Sequence, residues 1–266
     1  MPELPDVEVF RGIAENHALR RPIGTVSLRP DGMTVTSGES TLRSALLGHT
    51  LTTTARRGKH LFLRSGEDRH RWLRLHFGMT GSLVPLAEDD DEPDHTRLRL
   101  EFRGGTSLAY RCPRKFGEIG LVDDPDDFAE EHDLGPDLLA EGMGPAMFRH
   151  RLQGRRGGVK SALMDQGLVA GLGNVYTDEV LFQAGLHPET PVAELSDRRL
   201  ETLYRIAVEV VEKAIEKDVD VDRLPPGWLL PNREDDAPCP RDDGTIRKSE
   251  VNGRPTYHCD EHQPRP

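Results

Sequence analysis

The feature that most constrains this chain is a change of hydrophobic period part-way along it. Between His60 and Arg111 the apolar residues come in short alternating or continuous runs, "HLFLRS", "RWLRLHF", "TRLRLEF" and "TSLAYR", the patterns of half-buried and fully buried strands. "RGG" (Arg103 to Gly105) supplies a turn between the last two. Gly and Pro accumulate in "DLGPDLLAEGMGP" (Asp133 to Pro145), and beyond it the period becomes helical. Strands followed by helices specify an α+β chain with a domain boundary at the change. The spacing predicts a helix over Asp6 to Leu19, with Asp6 as its cap. It also predicts a long helix over Leu195 to Lys217, capped by Ser196, with a core stripe of Leu200, Leu203, Ile206, Val210 and Ile215. Three segments result: a β-rich domain over 1–135, a helical domain over 136–230 and a short polar tail over 231–266.

No apolar run is long enough to cross a bilayer, and the opening residues carry Glu3, Asp6 and Glu8 rather than a basic-then-apolar leader. Three cysteines, Cys112, Cys239 and Cys259, do not make a disulfide framework. An intracellular, cytoplasmic setting is expected. The net charge of −11 counts against a polyanionic partner when taken as a sum. Its distribution is uneven, however. Acidic residues gather in "EDDDEPD" and "DDPDDFAEEHD", basic ones in "ARRGKH", "RCPRKFG" and "FRHRLQGRRGGVK", so local cationic patches survive on an acidic exterior.

Three stretches carry chemistry. "MPELPDVE" places Pro2 directly after Met1, with Glu3 beside it. Trimming of Met1 leaves a secondary amine whose uncharged fraction is nucleophilic and whose protons a neighbouring carboxylate can move. The same prolines also suit a stiff, extended lead-in. In the tail, Cys239 and Asp242 stand at C-x2-C spacing, Cys259 and His262 repeat it, and Gly244 and Gly253 lie in a hairpin-like stretch between the pairs. Four donors so paired suit a tetrahedral metal, and a segment with so little core gains a reason to fold from one; a metal-free hairpin is the other reading. In "DQGLVAGLGNVYTDEVLFQAGLHP", a turn with Gly171 and Gly173 runs into a helix from Asn174 that ends before Gly185. Its free N–H groups and the Asn174 amide form either an anion cradle or a plain packing turn.

The order of "PELPDVE", "RRGKH", "HFGMTG", "PRKFG", the Asn174 segment and the paired-ligand tail resembles the formamidopyrimidine-DNA glycosylase and endonuclease VIII family of base-excision repair enzymes, over nearly the whole chain. That resemblance implies a β-sandwich-like N-terminal domain carrying one helix, a helix-two-turn-helix domain and a C-terminal zinc-ribbon hairpin. It implies a monomer that binds duplex DNA containing damaged bases or abasic sites, and a bifunctional glycosylase and AP lyase that works through a Schiff base on Pro2, with Glu3 handling protons and the strand cut by β,δ-elimination. It implies further that Lys59 lies near the lesion phosphate, and that His76, Lys160, Asn174 and Arg254 contact phosphates. Met79, Arg114 and Phe116 would fill the gap left by the extruded base. One structural zinc ion would sit on Cys239, Asp242, Cys259 and His262.

The match has departures. Asp6 stands where the family more often has Glu, Cys112 replaces an acidic residue, and Lys115 replaces the commoner Arg. Asp242 and His262 occupy positions that are usually Cys. The segment "DVDVDRLPPGWLLPNREDDAP" lacks the Gly-rich loop that the oxidised-purine branch folds over 8-oxoguanine, so the preferred lesion is left open. Two rivals follow: a non-catalytic damaged-DNA binding module of the same fold, against which Pro2, Glu3 and Lys59 speak, and a tautomerase using an N-terminal proline, in which the Asn174 segment and the tail have no purpose.

Overall fold

The computed structural model describes residues 1–66 and 71–265. The chain divides into two compact units, one of Met1–Pro2 and Asp6–His132, the other of Glu3–Pro5 and Asp133–Pro266.

The first unit contains most of helix α1 (Leu4–His17), strands β1 (Ile23–Leu28) and β2 (Thr34–Val35), helix α2 (Glu39–Leu46), strands β3 (Leu51–Arg57), β4 (His60–Ser65), β5 (Trp72–His76), β6 (Ser82–Leu86), β7 (Thr96–Phe102), β8 (Ser107–Arg111) and β9 (Glu118–Val122), and helix α3 (Pro125–Glu131). One sheet has the order β1-β7-β8-β6, the other β2-β9-β5-β4-β3. The alternation read in the sequence sets the register. Leu98 and Leu100 of β7 pair with Leu28 and Val26 on one side and with Tyr110 and Leu108 on the other, so one apolar face is continuous across three strands. In β4 the consecutive residues Leu61, Phe62 and Leu63 are all fully buried. The second face is covered by Phe128 of α3, whose ring centroid lies 5.6 Å from that of Phe62. Asp124 caps α3, accepting the Asp126 N–H at 2.7 Å. Helix α1 begins two residues before the expected Asp6, which lies in its first turn and not at its cap. Pro5 fits there because the first helical N–H groups have no intrahelical acceptor to lose.

The second unit holds helices α4 (Pro145–Leu152), α5 (Val159–Met164), α6 (Asn174–Gln183) and α7 (Asp197–Glu216), then a ribbon of β10 (Ile246–Val251) and β11 (Arg254–Cys259). Ser196 caps α7 through the Arg199 N–H. The expected stripe needs correction: Leu200, Leu203 and Val210 are buried, but Ala207, Val211 and Ala214 complete the face, while Ile206 and Ile215 pack only partly at its edge. α4 and α6 both pack against α7, and small residues on its buried face let helices approach closely. α6 is different in kind. Tyr176 through Phe182 are all buried, so its polar members must find partners within the protein. In the ribbon, Asn252 and Gly253 take φ of 49° and 72°, the two left-handed residues of a tight Asn-Gly hairpin turn.

Candidate active site

The backbone N–H groups at the start of α6 face an anion, and that anion belongs to the protein. Glu3, fully buried, accepts from Gly173 N at 2.7 Å, Val175 N at 2.8 Å and Tyr176 N at 3.2 Å. The cradle expected for an outside anion is therefore filled from the other end of the chain. Two glycines permit it. A Cβ on Gly173 would lie 2.5 Å from the Glu3 carboxyl carbon, and one on Gly171, at φ +123°, would lie 2.4 Å from Leu4 Cδ1. Leu4 N also donates to Gly171 O at 3.0 Å. Residue 3, next to Pro2, is thus clamped by three donors and a backbone bond.

Further along α6, Asp178 joins the helices to the ribbon. Fully buried, it accepts from Lys160 Nζ at 2.7 Å, from Arg233 Nη2 at 2.7 Å and from Tyr257 N at 3.2 Å. Lys160 also donates to Thr256 Oγ1 at 2.6 Å and is only 1 % exposed. This corrects the expectation for Lys160: its ammonium is engaged inside the protein. Burial pushes it below the ordinary lysine range, with Asp178 opposing. Asn174 donates through Nδ2 to Pro255 O at 2.8 Å, so it too braces the ribbon, beside the exposed Arg254 that pairs with Val251 at the hairpin tip. Glu179, also fully buried, accepts from Leu229 N, Leu230 N and Gln183 Nε2 at 3.2, 2.7 and 2.6 Å. Burial pushes its carboxyl up to about 7, opposed by those bonds.

In the first unit, Lys59 occupies the two-residue turn between β3 and β4, after Gly58 at φ +56°. Arg56 holds this turn: Nη1 donates to Gly58 O at 3.1 Å while Nε pairs with Glu8 Oε2 at 2.7 Å. Burial raises the Glu8 carboxyl, and hydrogen bonds from Arg11 and Arg56 more than reverse it. Next to Lys59, His60 stacks on His76 with ring centroids 4.8 Å apart. Burial, followed by the charge of His76, pushes His60 down to about 2, and His76 is lowered chiefly by burial too. Both are neutral imidazoles near pH 7. Met79 and Phe116 are 40 % and 58 % exposed, unusual for large apolar side chains, and the Arg114 guanidinium lies 5.2 Å from the Phe116 ring centroid. Their two loops are locked together, since a Cβ on Gly78 would lie 2.4 Å from the Phe116 carbonyl.

At the base of the ribbon, donor atoms of Cys239, Asp242 and Cys259 lie within 4.8 Å of one another. This group has the donor types to hold a metal ion. Gly244 leaves the space for one: a Cβ there would meet Cys259 Sγ at 2.8 Å and Asp242 Oδ1 at 2.9 Å. Burial pushes the Cys239 thiol up to about 12, so a thiolate there calls for a compensating cation. The fourth expected donor, His262, stands apart from this group; its Nδ1 is 3.9 Å from Asp242 Oδ2 and its Nε2 meets Phe182 O at 2.8 Å.

Comparison with known proteins agrees with this geometry. Residues 1–119 match the formamidopyrimidine-DNA glycosylase N-terminal domain and residues 134–223 the formamidopyrimidine-DNA glycosylase H2TH domain. The Halorhodospira halophila formamidopyrimidine-DNA glycosylase is 31% identical over 97% of this chain and 98% of its own length. The chain belongs to the formamidopyrimidine-DNA glycosylase family. An Arabidopsis thaliana member is 32% identical over 88% of this chain, which spans 63% of that longer relative. The Fpg of Lactococcus lactis, solved in complex with DNA containing an abasic site, superposes with a TM-score of 0.87 at 30% identity, covering 99% of this chain and 100% of that one.

Seen within the family fold, three residues that sequence reasoning passed over do much of the positioning. Asp178 and Glu179 could have been found, because two adjacent carboxylates in a ten-residue helix with Val175, Tyr176, Val180, Leu181 and Phe182 have to be satisfied internally when that helix is buried. Asp31 gave no such signal. It lies in a turn and pairs with both Arg97 at 2.9 Å and Lys115 at 3.1 Å, bracing the loop that presents Arg114 and Phe116.

Proposed function

We propose that this chain is a bifunctional DNA glycosylase and AP lyase that removes oxidised bases from duplex DNA. The observation that carries the reading is the seat of Glu3, fully buried under three N–H donors and covalently adjacent to Pro2. Once Met1 is removed, the Pro2 secondary amine attacks C1′ of a nucleotide swung out of the stack. The bond from C1′ to the base breaks and the base leaves with the proton the amine gives up; the C1′–O4′ bond then opens, O4′ takes a proton from Glu3, and the amine becomes an iminium. Loss of a C2′ proton expels the 3′ phosphate, a second elimination expels the 5′ phosphate, and water returns the amine. Glu3 Oε1 accepts the Val175 N–H, and the carboxylate so positioned carries these protons. Lys59 and the neutral His76 attend the lesion phosphate, Met79, Arg114 and Phe116 fill the vacated stack, and Arg254 grips the backbone. Asn174 and Lys160 hold the ribbon that carries Arg254.

Borohydride reduction in the presence of abasic-site DNA tests the chemistry. A covalent adduct that maps to Pro2, and disappears when Met1 is retained by an N-terminal tag, is the expected result. An adduct that survives replacement of Pro2 moves the nucleophile to a lysine, and tight binding without any adduct favours the non-catalytic binding module.

Cys239, Asp242 and Cys259 fit one structural zinc ion, for which His262, standing apart from them, would turn in as the fourth ligand. A carbonyl can only accept, so His262 Nε2 carries the ring proton toward Phe182 O, leaving Nδ1, the atom on the Asp242 side, with its lone pair. Bound zinc would close the ends of the hairpin and fix Arg254. Elemental analysis of the active protein is expected to find it; active, zinc-free protein would show that the hairpin stands on its own packing.

A further inference from the structure

His187, in the turn that follows α6, and His258 of β11 are each only 2 % exposed, and their rings meet edge-on with centroids 4.7 Å apart. Among the described residues, His187 Nε2 and both ring nitrogens of His258 have no partner in hydrogen-bond geometry, His258 Nε2 meeting Asp260 only as an ion-pair contact. Buried polar atoms are seldom left so, and three gathered in one place mark a site whose partner is a ligand. Asp260 supplies a third donor: its Oδ1 lies 3.0 Å from His258 Nε2 and 3.9 Å from His187 Nε2. One donor atom from each residue falls within 4.8 Å of the others. Side chains alternate along a strand, so His258 leaves β11 on the face opposite the thiol of Cys259, its neighbour. The two clusters are therefore separate.

We propose that His187, His258 and Asp260 form a second metal site, for a divalent transition-metal ion of the imidazole-binding class. Two imidazoles and a carboxylate are a common donor set for such ions. Metal–ligand bonds of about 2.0–2.1 Å put tetrahedral donors roughly 3.3 Å apart. The His258–Asp260 pair is already near that spacing, and the 3.9 Å pair must close by about half an ångström. Asp260, its side chain 53% exposed, leaves an approach for the ion and room for a water as fourth ligand. Loading has one cost. Glu189 N–H donates to His187 Nδ1 at 3.2 Å, which puts the proton of the neutral ring on Nε2; metal at Nε2 moves that proton to Nδ1 and opens the Glu189 bond. The site therefore fills after the cysteine site and binds less tightly. Filled, it ties the turn after α6 to the end of the ribbon.

The test is metal uptake by the full chain, stripped with a chelator and titrated with Co2+ while thiolate-to-cobalt charge transfer and total bound metal are followed. Two equivalents are expected, the first raising the thiolate band and the second leaving it unchanged. His187→Asn and His258→Asn should each lose the second equivalent and keep the band, which also reports that the ribbon is folded. Should either buried variant fail to fold, the exposed Asp260→Asn should weaken the second equivalent tenfold or more. Uptake of a single, thiolate-bound equivalent by the unaltered chain would overturn the proposal, as would a second equivalent indifferent to all three substitutions. A single equivalent that needs His187 but not Cys259 would uphold it and overturn the reading of the cysteine site.

Discussion

Replacing Glu3 by Gln changes one atom at the point where the start of the chain is fixed. The carboxylate accepts one N–H on Oε1 and two on Oε2, and an amide can offer an acceptor on only one side. The less damaging rotamer turns its NH2 toward Val175 N, keeps the two bonds on the Oε2 side, and sets two donors against each other about 2.8 Å apart. A buried donor left unsatisfied costs about 1–3 kcal/mol. With m near 2 kcal/mol per molar urea, the unfolding midpoint of the second unit should fall by about 0.5–1.5 M. The chemical loss is separate. Loss of a positioned proton carrier is worth about 10²–10⁴-fold, so base excision should fall by at least a hundredfold, while borohydride trapping on a preformed abasic site, which needs no departing base, falls less.

Glu3→Asp supplies the control. It restores the charge but withdraws the carboxylate by one methylene from donors that do not follow, because Leu4 is held to Gly171 by its own backbone bond. It should recover part of the stability and little of the excision. An unchanged urea midpoint together with undiminished excision in Glu3→Gln would refute the reasoning, because it would mean that neither the three N–H bonds nor the carboxylate matters.

Three further outcomes follow from the same geometry. Lys160→Met removes one partner of a buried ion pair and leaves Asp178 with Arg233 and Tyr257 N alone; thermal or urea unfolding should show a loss of about 3–5 kcal/mol, with the slope of log affinity for DNA against log salt unchanged. Arg254→Ala, at the exposed hairpin tip, should do the reverse, leaving stability alone and flattening that slope by about one unit when a single phosphate contact is lost. For Glu179 the folded value, about 7, lies above the ordinary 4.5, so its contribution to stability is complete below pH 4.5 and is lost as pH rises through 7. Glu179→Gln should flatten the pH dependence of unfolding across that window, a difference on the order of 3 kcal/mol between its ends.

What could be read from the sequence was what local chemistry decides. The alternation of "TRLRLEF", the Ser196 cap and the hairpin-like stretch holding Gly253 each specify their geometry within a few residues, and each stands where the spacing put it. The misplaced residues are those whose surroundings come from far along the chain. Lys160, to which the family resemblance gives a phosphate, has its partners Asp178 and Thr256 18 and 96 residues away, out of sight of its own segment. Ile206 and Ile215 outrank Ala207 and Ala214 by hydrophobicity, but only the crowding of α7 by its neighbours decides that small residues take the centre. The Gly171–Gly173 turn is the instructive case. Its N–H groups could be read as a seat for an anion or as a plain packing turn, and neither reading names the occupant. Nothing between residues 165 and 188 names Glu3, 170 residues earlier than the donor it binds. A sequence read segment by segment finds the two halves of this site, the proline with its carboxylate and the glycine turn with its donors, as separate motifs. The joining of Glu3 to that turn is a tertiary fact, and it makes Glu3–Pro5 a built part of the second unit.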